Sequence, residues 1–149
     1  MIRLATEEDS REVARLIAAF RDWQGRDEPS DASIEQSVRL LIRDPNTEYL
    51  LGGDPPAGVL QLRFRHSVWT GSDDAHLEDL FVDESERGSG LGRALVDEAL
   101  RRARRRGCAR IELDANEANE TALRLYRSVG FGSWSDAAGG NDLFMRLRL

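Results

Sequence analysis

The chain has 149 residues, 40% apolar and 32% charged, with 27 acidic side chains against 21 basic ones and a net charge of −6. That length suits one domain able to bury roughly 68–70% of its unfolded surface, so a core needs neither metal nor disulfide staples. Every basic residue is arginine, which excludes a lysine Schiff base, a lysine general base and a phosphate loop of the G-K-[ST] kind.

Ile2 to Ala5 reads as a short opening strand. Thr6 with Asp9 forms a variant capping box, and Val13, Leu16, Ile17 and Phe20 follow at helical spacing. The stretch from Asp22 to Ser30 breaks that helix. Ser33 with Gln36 is expected to cap a second one, striped by Ile34, Val38, Leu41 and Ile42 and closed by Asp44-Pro45. Strands are expected at Glu48 to Leu51 and Gly58 to Arg65, with a Gly-Gly-Asp-Pro-Pro turn between them. A polar loop, Ser67 to Asp74, leads to a strand at Ala75 to Asp83 that is apolar on both faces and so central.

A glycine-rich turn, Arg87 to Gly92, then opens a helix running to about Arg106, with Gly107 at its end. Cys108 to Asp114 is expected as a strand. Ala122, Leu123, Leu125, Tyr126 and Val129 mark a short helix stopped by Gly130. Two last strands are expected, Phe131 to Trp134 and, after a Gly139-Gly140 loop, the alternating run Leu143 to Leu149. With no repeat or linker, the pattern is one mixed α/β domain over residues 1–149.

The chemistry concentrates at Arg87-Gly88-Ser89-Gly90-Leu91-Gly92. The first amides of a helix lack partners and carry partial positive charge. Glycines let the backbone come close to a ligand, so the place suits a phosphate or pyrophosphate, with Arg87 and Arg93 as further donors. Taken alone, such a turn can equally be a plain helix start. A dinucleotide fold is disfavoured, because the turn follows a late strand and lacks the acidic residue of that frame.

This hexapeptide resembles the R/Q-x-x-G-x-G/A signature of the GNAT superfamily of acetyl-coenzyme A-dependent N-acetyltransferases. Leu77-Glu78-Asp79-Leu80-Phe81-Val82 is similar to that family's fourth strand, nearest to the diamine acetyltransferase branch. The segment Asn119 to Phe131 resembles its N-x-x-A-x-x-L-Y-x-x-x-G-F run. The three come in the family's order and spacing, and the element order agrees over nearly the whole chain. One departure is Glu84, where such families often carry a proline that stiffens the turn. The resemblance implies a mixed α+β GNAT acyltransferase fold. Its central, mostly antiparallel sheet is splayed between strands four and five, with helices on both faces.

The resemblance also implies acetyl-CoA as cosubstrate, no metal, and direct transfer in a ternary complex. It carries the general acid onto Tyr126, whose phenol (pKa about 10) is protonated at neutral pH; on periodicity alone Tyr126 is a core residue. Glu78 is the candidate base, directly or through water, with a salt bridge to arginine as the competing reading. Asp79 falls on the opposite face of a regular strand, though a bulge would spoil that parity, and His76 shares the face expected for Glu78. Whether Glu78, Asp79 or water takes the proton stays open. The backbone near Phe81 and Val82 is implied to pair with pantetheine. Arg87, Gly88, Ser89, Gly90, Leu91, Gly92 and Arg93 would take the pyrophosphate. Asn119 either lies on the coenzyme side, caps its helix, or does both.

The remaining features narrow the setting. The lone Cys108 excludes an internal disulfide, and with His66 and His76 it makes a poor zinc set. No apolar run reaches the ~18 residues of a membrane span, and Met1 to Thr6 runs straight into acidic residues, so no secretory leader is expected. Cytoplasmic location follows as the expectation. Arg101, Arg102, Arg104, Arg105 and Arg106 read as a solvated helix end complementing the dipole, and the acidic balance argues against nucleic acid. The acidic loop with Asp22, Asp27, Glu28 and Asp31, beside Trp23, is either ordinary surface or a site for a cationic amine. The expected acceptor is a primary amine on a small cationic molecule, with polyamines, diamines and lysine-like amino acids first, and a homodimer is possible. The alternatives are a catalytically silent acyl-CoA sensor and an enzyme acting on a protein amino terminus or lysine.

Overall fold

The computed structural model describes residues 1–135 and 139–149. Their contacts gather into two compact units, Met1–Leu113 and Asp114–Leu149. The first unit runs β1 (Ile2–Leu4), α1 (Ser10–Trp23), α2 (Asp31–Leu41), β2 (Thr47–Gly53), β3 (Pro56–Ser67), β4 (Ser72–Val82), α3 (Leu91–Arg105) and β5 (Ile111–Glu112). The second unit holds α4 (Glu120–Ser128). Among the described residues no helix is long and apolar enough to cross a membrane.

The five strands lie in chain order. β1 to β4 pair antiparallel, as short connections require, while β5 returns through α3 and runs parallel to β4. That last pairing is confined to Ala75 with Ile111 and His76 with Glu112, so the sheet opens between β4 and β5 as expected.

Strand alternation sends β2–β4 side chains to two covered faces. Tyr49, Leu51, Val59 and Phe81 meet α1 and α2 through Val13, Leu16, Ile34 and Val38. Leu50, Leu60 and Leu62 are fully buried on the other face, each burial worth about 1.5–3 kcal/mol. There α3 descends onto paired Gly52 and Gly58. A Cβ at Gly58 would stand 2.9 Å from Leu95 Cδ1, and one at Gly52 would stand 2.8 Å from Leu91 Cδ1. Glycine at both positions therefore sets how closely the start of α3 approaches the sheet.

Asp9 ties the chain's entry together, accepting from the Thr6 N–H (2.8 Å) and from both Arg3 Nη atoms (2.8 and 2.7 Å). The Arg3 guanidinium holds its carboxyl well below the usual carboxylate range. A 3₁₀ turn, Glu7–Asp9, precedes α1.

Four expectations are corrected. Ser30 caps α2 by accepting from the Ser33 N–H, so the cap lies three residues before the expected Ser33. β4 begins at Ser72 and shortens the expected loop to a tight turn. The strand expected from Cys108 to Asp114 contracts to Ile111–Glu112. The two closing strands do not form: Phe131 to Trp134 contributes one isolated bridge, Trp134 to Asn141, and Leu143 to Leu149 is not strand. Alternation marks a sequence fit for a half-buried sheet surface but does not supply a ladder. Here Leu143, Met145 and Leu147 are 80%, 85% and 84% exposed.

Candidate active site

The site grows from an irregularity in β4. Gln61 stands opposite Asp79 and Leu62 opposite Leu77, so Glu78 is an extra, bulged residue. Glu78 is exposed, as a solvated carboxylate must be when nothing buried pairs with it. The bulge shifts parity. Asp79 joins His76 on the face of Gln61 and Arg63, which corrects the expectation that Glu78 shares a face with His76 and that Asp79 lies opposite. The rung Tyr49–Gln61–Asp79 crosses three strands. Burial, then the charge of Asp79, pushes the Tyr49 phenol well above its ordinary value.

Beyond His76, no described strand lies against the β5 side of β4. Asp83 N–H donates to Ala57 O (2.8 Å), fixing which backbone groups serve the β3 ladder. By alternation the N–H and C=O of Phe81 turn toward β3, and those of Val82 and Leu80 turn to the open edge. Of the expected Phe81–Val82 pair, only Val82 turns its backbone groups to that edge, where Leu80 joins it. Leu80 is not among the expected site residues, because which backbone groups face the edge depends on where the bulge falls.

The chain leaves β4 through a short 3₁₀ turn, Glu84–Glu86, and enters the glycine turn. Gly88 (φ +79°) and Gly90 (φ +91°) take the left-handed conformation, with nothing within 4 Å of a Cβ at either. Gly90 is the N-cap of α3 and its C=O accepts from Ala94 N–H. Among the described residues, the amides of Gly88, Gly90 and Gly92 have no acceptor from the chain. A pyrophosphate suits this turn: a Cβ at Gly88 or Gly90 would meet nothing within 4 Å, the three amides lie at the start of a fifteen-residue helix, and the dipole there favours negative charge. Ser89 Oγ donates to Glu86 O (2.7 Å), which braces the turn.

The two expected arginine donors are engaged elsewhere. Arg87 Nε donates to Val82 O (3.1 Å), and its guanidinium carbon lies 5.1 Å from the Trp23 ring centre and 5.7 Å from that of Phe81. Phe20 stacks against both rings, at 5.4 Å from Phe81 and 6.0 Å from Trp23. Arg93 Nε meets both Asp97 oxygens one turn along α3 (3.0 and 3.1 Å). Arg15 fastens α1 over this corner, donating to Pro56 O (2.9 Å) and lying 3.6 Å from Asp83.

The acidic loop is partly neutralised from within, because Arg21 pairs with Asp22 (2.7 Å) and Asp31 (2.8 Å). Among the described residues Asp27 and Glu28 form no ion pair. Cys108 is half-buried, and burial pushes its thiol up, away from nucleophilic character.

In the second unit, Asn119 caps α4: its Oδ1 accepts from the Ala122 N–H at 3.2 Å. Tyr126 is 8% exposed, with its ring edge-on to Phe131 at 5.8 Å. Asn119 thus forms the cap, and Tyr126 the packed ring, that the sequence allows for them.

Comparison with known proteins sets these features in context. Residues 10–131 match the acetyltransferase (GNAT) family. The thialysine N-epsilon-acetyltransferase of Sus scrofa is 32% identical, over 93% of this chain and 88% of that relative. A mycothiol acetyltransferase from Nocardiopsis dassonvillei is 47% identical over 83% of this chain, but the chain spans only 40% of that relative's length. A solved structure from Arthrobacter sp. FB24 superposes with a TM-score of 0.90 at 29% identity, covering 100% of this chain and 96% of the other.

Proposed function

Because this chain belongs to the acetyltransferase (GNAT) family, we propose that it moves an acetyl group from acetyl-CoA to the primary amine of a small cationic acceptor. The observation that carries this reading is the left-handed glycine turn, with three amides that lack acceptors among the described residues, placed directly after the open edge of β4. Such a turn takes a pyrophosphate, and such an edge takes an extended amide chain as a strand would. The diamine or lysine-like acceptor is supported by the thialysine N-epsilon-acetyltransferase relatives in pig, cow and mouse.

The thioester supplies an acyl carbon open to attack and a sulfur able to leave. The chain's residues supply the rest. Val82 and Leu80 hold the carrier along β4, and an N–H on that edge polarises the thioester carbonyl. An alkylammonium with pKa near 10.4 has no lone pair, so Glu78 or Asp79, directly or through water, takes its proton. The amine nitrogen bonds to the acyl carbon, the carbon–sulfur bond breaks, Tyr126 gives its proton to the departing thiolate, and the second proton shed by the nitrogen restores the phenol. Asn119 joins the coenzyme side while capping α4. The reaction belongs to the cytoplasm, where a free Cys108 stays reduced, and a homodimer is a possible form of the enzyme.

A panel of amines with acetyl-CoA, followed by thiol release, tests the reading. Diamines, polyamines and lysine analogues are expected to react ahead of aminoglycosides and peptides. Polyamines silent while peptides react would overturn the acceptor class. Coenzyme binding with no turnover on any amine would favour a sensor.

A further inference from the structure

The cation standing on Trp23 and Phe81 is the chain's own. Arg87 is exposed and free to extend into solvent, yet its guanidinium lies 5.1 and 5.7 Å from these two ring centres. Its Nε occupies Val82 O, a carbonyl on the open β4 edge. Arg87 also immediately precedes Gly88 and the glycine turn. One side chain thus spans three places: a π face, a backbone acceptor and the margin of an anion cradle.

We propose that the Trp23–Phe81 face is the subsite for the acceptor's cationic group, and that Arg87 fills it until coenzyme binds and draws the arginine away. The inference rests on the acceptor class proposed above. Phe20 stacks on both rings; Phe81 is buried with Arg87 lying over it, and Trp23 stays half exposed, so a cation from solvent reaches the face at Trp23 once Arg87 leaves. Both holds on Arg87 weaken when coenzyme arrives. A carrier amide pairing with the β4 edge competes for Val82 O, and a diphosphate at Gly88–Gly92 attracts the guanidinium with a full charge-assisted bond. The freed face then accepts the acceptor's ammonium. Acceptor affinity therefore rises with coenzyme, because only the fraction of molecules with an open face binds it.

Trp69→Phe with Trp134→Phe leaves Trp23 as the only indole, and both replaced residues are exposed. In that background, coenzyme A is expected to change Trp23 emission. Spermidine, the probe cation, is expected to bind about fivefold tighter with coenzyme A present than without it. Arg87→Met, with Arg87→Ala as a second variant should Met misfold, is expected to give the tighter spermidine affinity without coenzyme. It should show no further gain on adding coenzyme, while calorimetry still registers coenzyme binding. Coenzyme heat without any Trp23 change, or equal spermidine affinity with and without coenzyme in the unaltered Arg87 background, overturns the inference and leaves the acceptor reading standing. No spermidine binding in any state, alongside a coenzyme-induced Trp23 change that Arg87→Met abolishes, overturns the cation subsite together with the acceptor class.

Discussion

Gly90→Ala separates a structural cost from a binding cost. Gly90 sits at φ +91° with nothing within 4 Å of an added Cβ, so the methyl meets no neighbour and only the backbone is strained. Forcing an L-residue into the left-handed region costs about 1–2 kcal/mol. For a chain of this size that lowers Tm by about 3–8 °C. Gly107, just past α3 at φ +82° and equally uncrowded, is the matched control. Gly107→Ala should lose similar stability and keep coenzyme affinity. Gly90→Ala should also re-aim the amide at the N-cap of α3 and screen the approach. One charged hydrogen bond, about 1.5–3 kcal/mol, then weakens coenzyme A by about 10- to 100-fold. Thermal melts and titration calorimetry on both variants read the two quantities separately. Coenzyme affinity in Gly90→Ala within twofold of that in Gly107→Ala would refute the assignment of this turn to the pyrophosphate.

Tyr126→Phe keeps the ring against Phe131, so it should preserve the fold and coenzyme affinity while lowering turnover roughly 10²-fold; unchanged steady-state turnover would remove Tyr126 as the acid. Glu78→Gln and Asp79→Asn, compared in pH–rate profiles, should show the base by a loss of rate that deepens as pH falls, where the amine is most fully protonated; flat profiles for both would hand the step to water. Asp9→Asn should cost about 1–2 kcal/mol at neutral pH. Arg3 lowers the folded-state pKa of Asp9, so that stability is present above the unfolded value near 4 and is lost as pH falls further. Denaturant melts of parent and variant should therefore converge in acid, and a constant gap down to the lowest pH would contradict the Arg3–Asp9 assignment.

What the sequence made legible is what local rules dictate. Val13, Leu16, Ile34 and Val38 repeat at helical spacing and are buried as that spacing requires. The Thr6–Asp9 box and the Asn119 cap are written in short polar motifs that form the same bonds in the structure. The glycine turn was readable because glycines before a helix supply positive φ and close approach, and Gly88 and Gly90 take that φ. What escaped depended on distant partners. The Glu78 bulge is decided by register against β3, so the sequence could not say whether Asp79 or Glu78 shares a face with His76. Arg87 reads as a free phosphate donor until Trp23, sixty-four residues earlier, is seen beneath it. Leu143 to Leu149 alternates as a strand should, yet no ladder receives it.

Amide hydrogen exchange with and without coenzyme A reaches the central claim most directly. Slowed exchange at Gly88, Gly90 and Gly92, together with Leu80 and Val82 on the open edge of β4, is the predicted result. Saturating coenzyme that leaves these five amides unchanged while protecting others would contradict it.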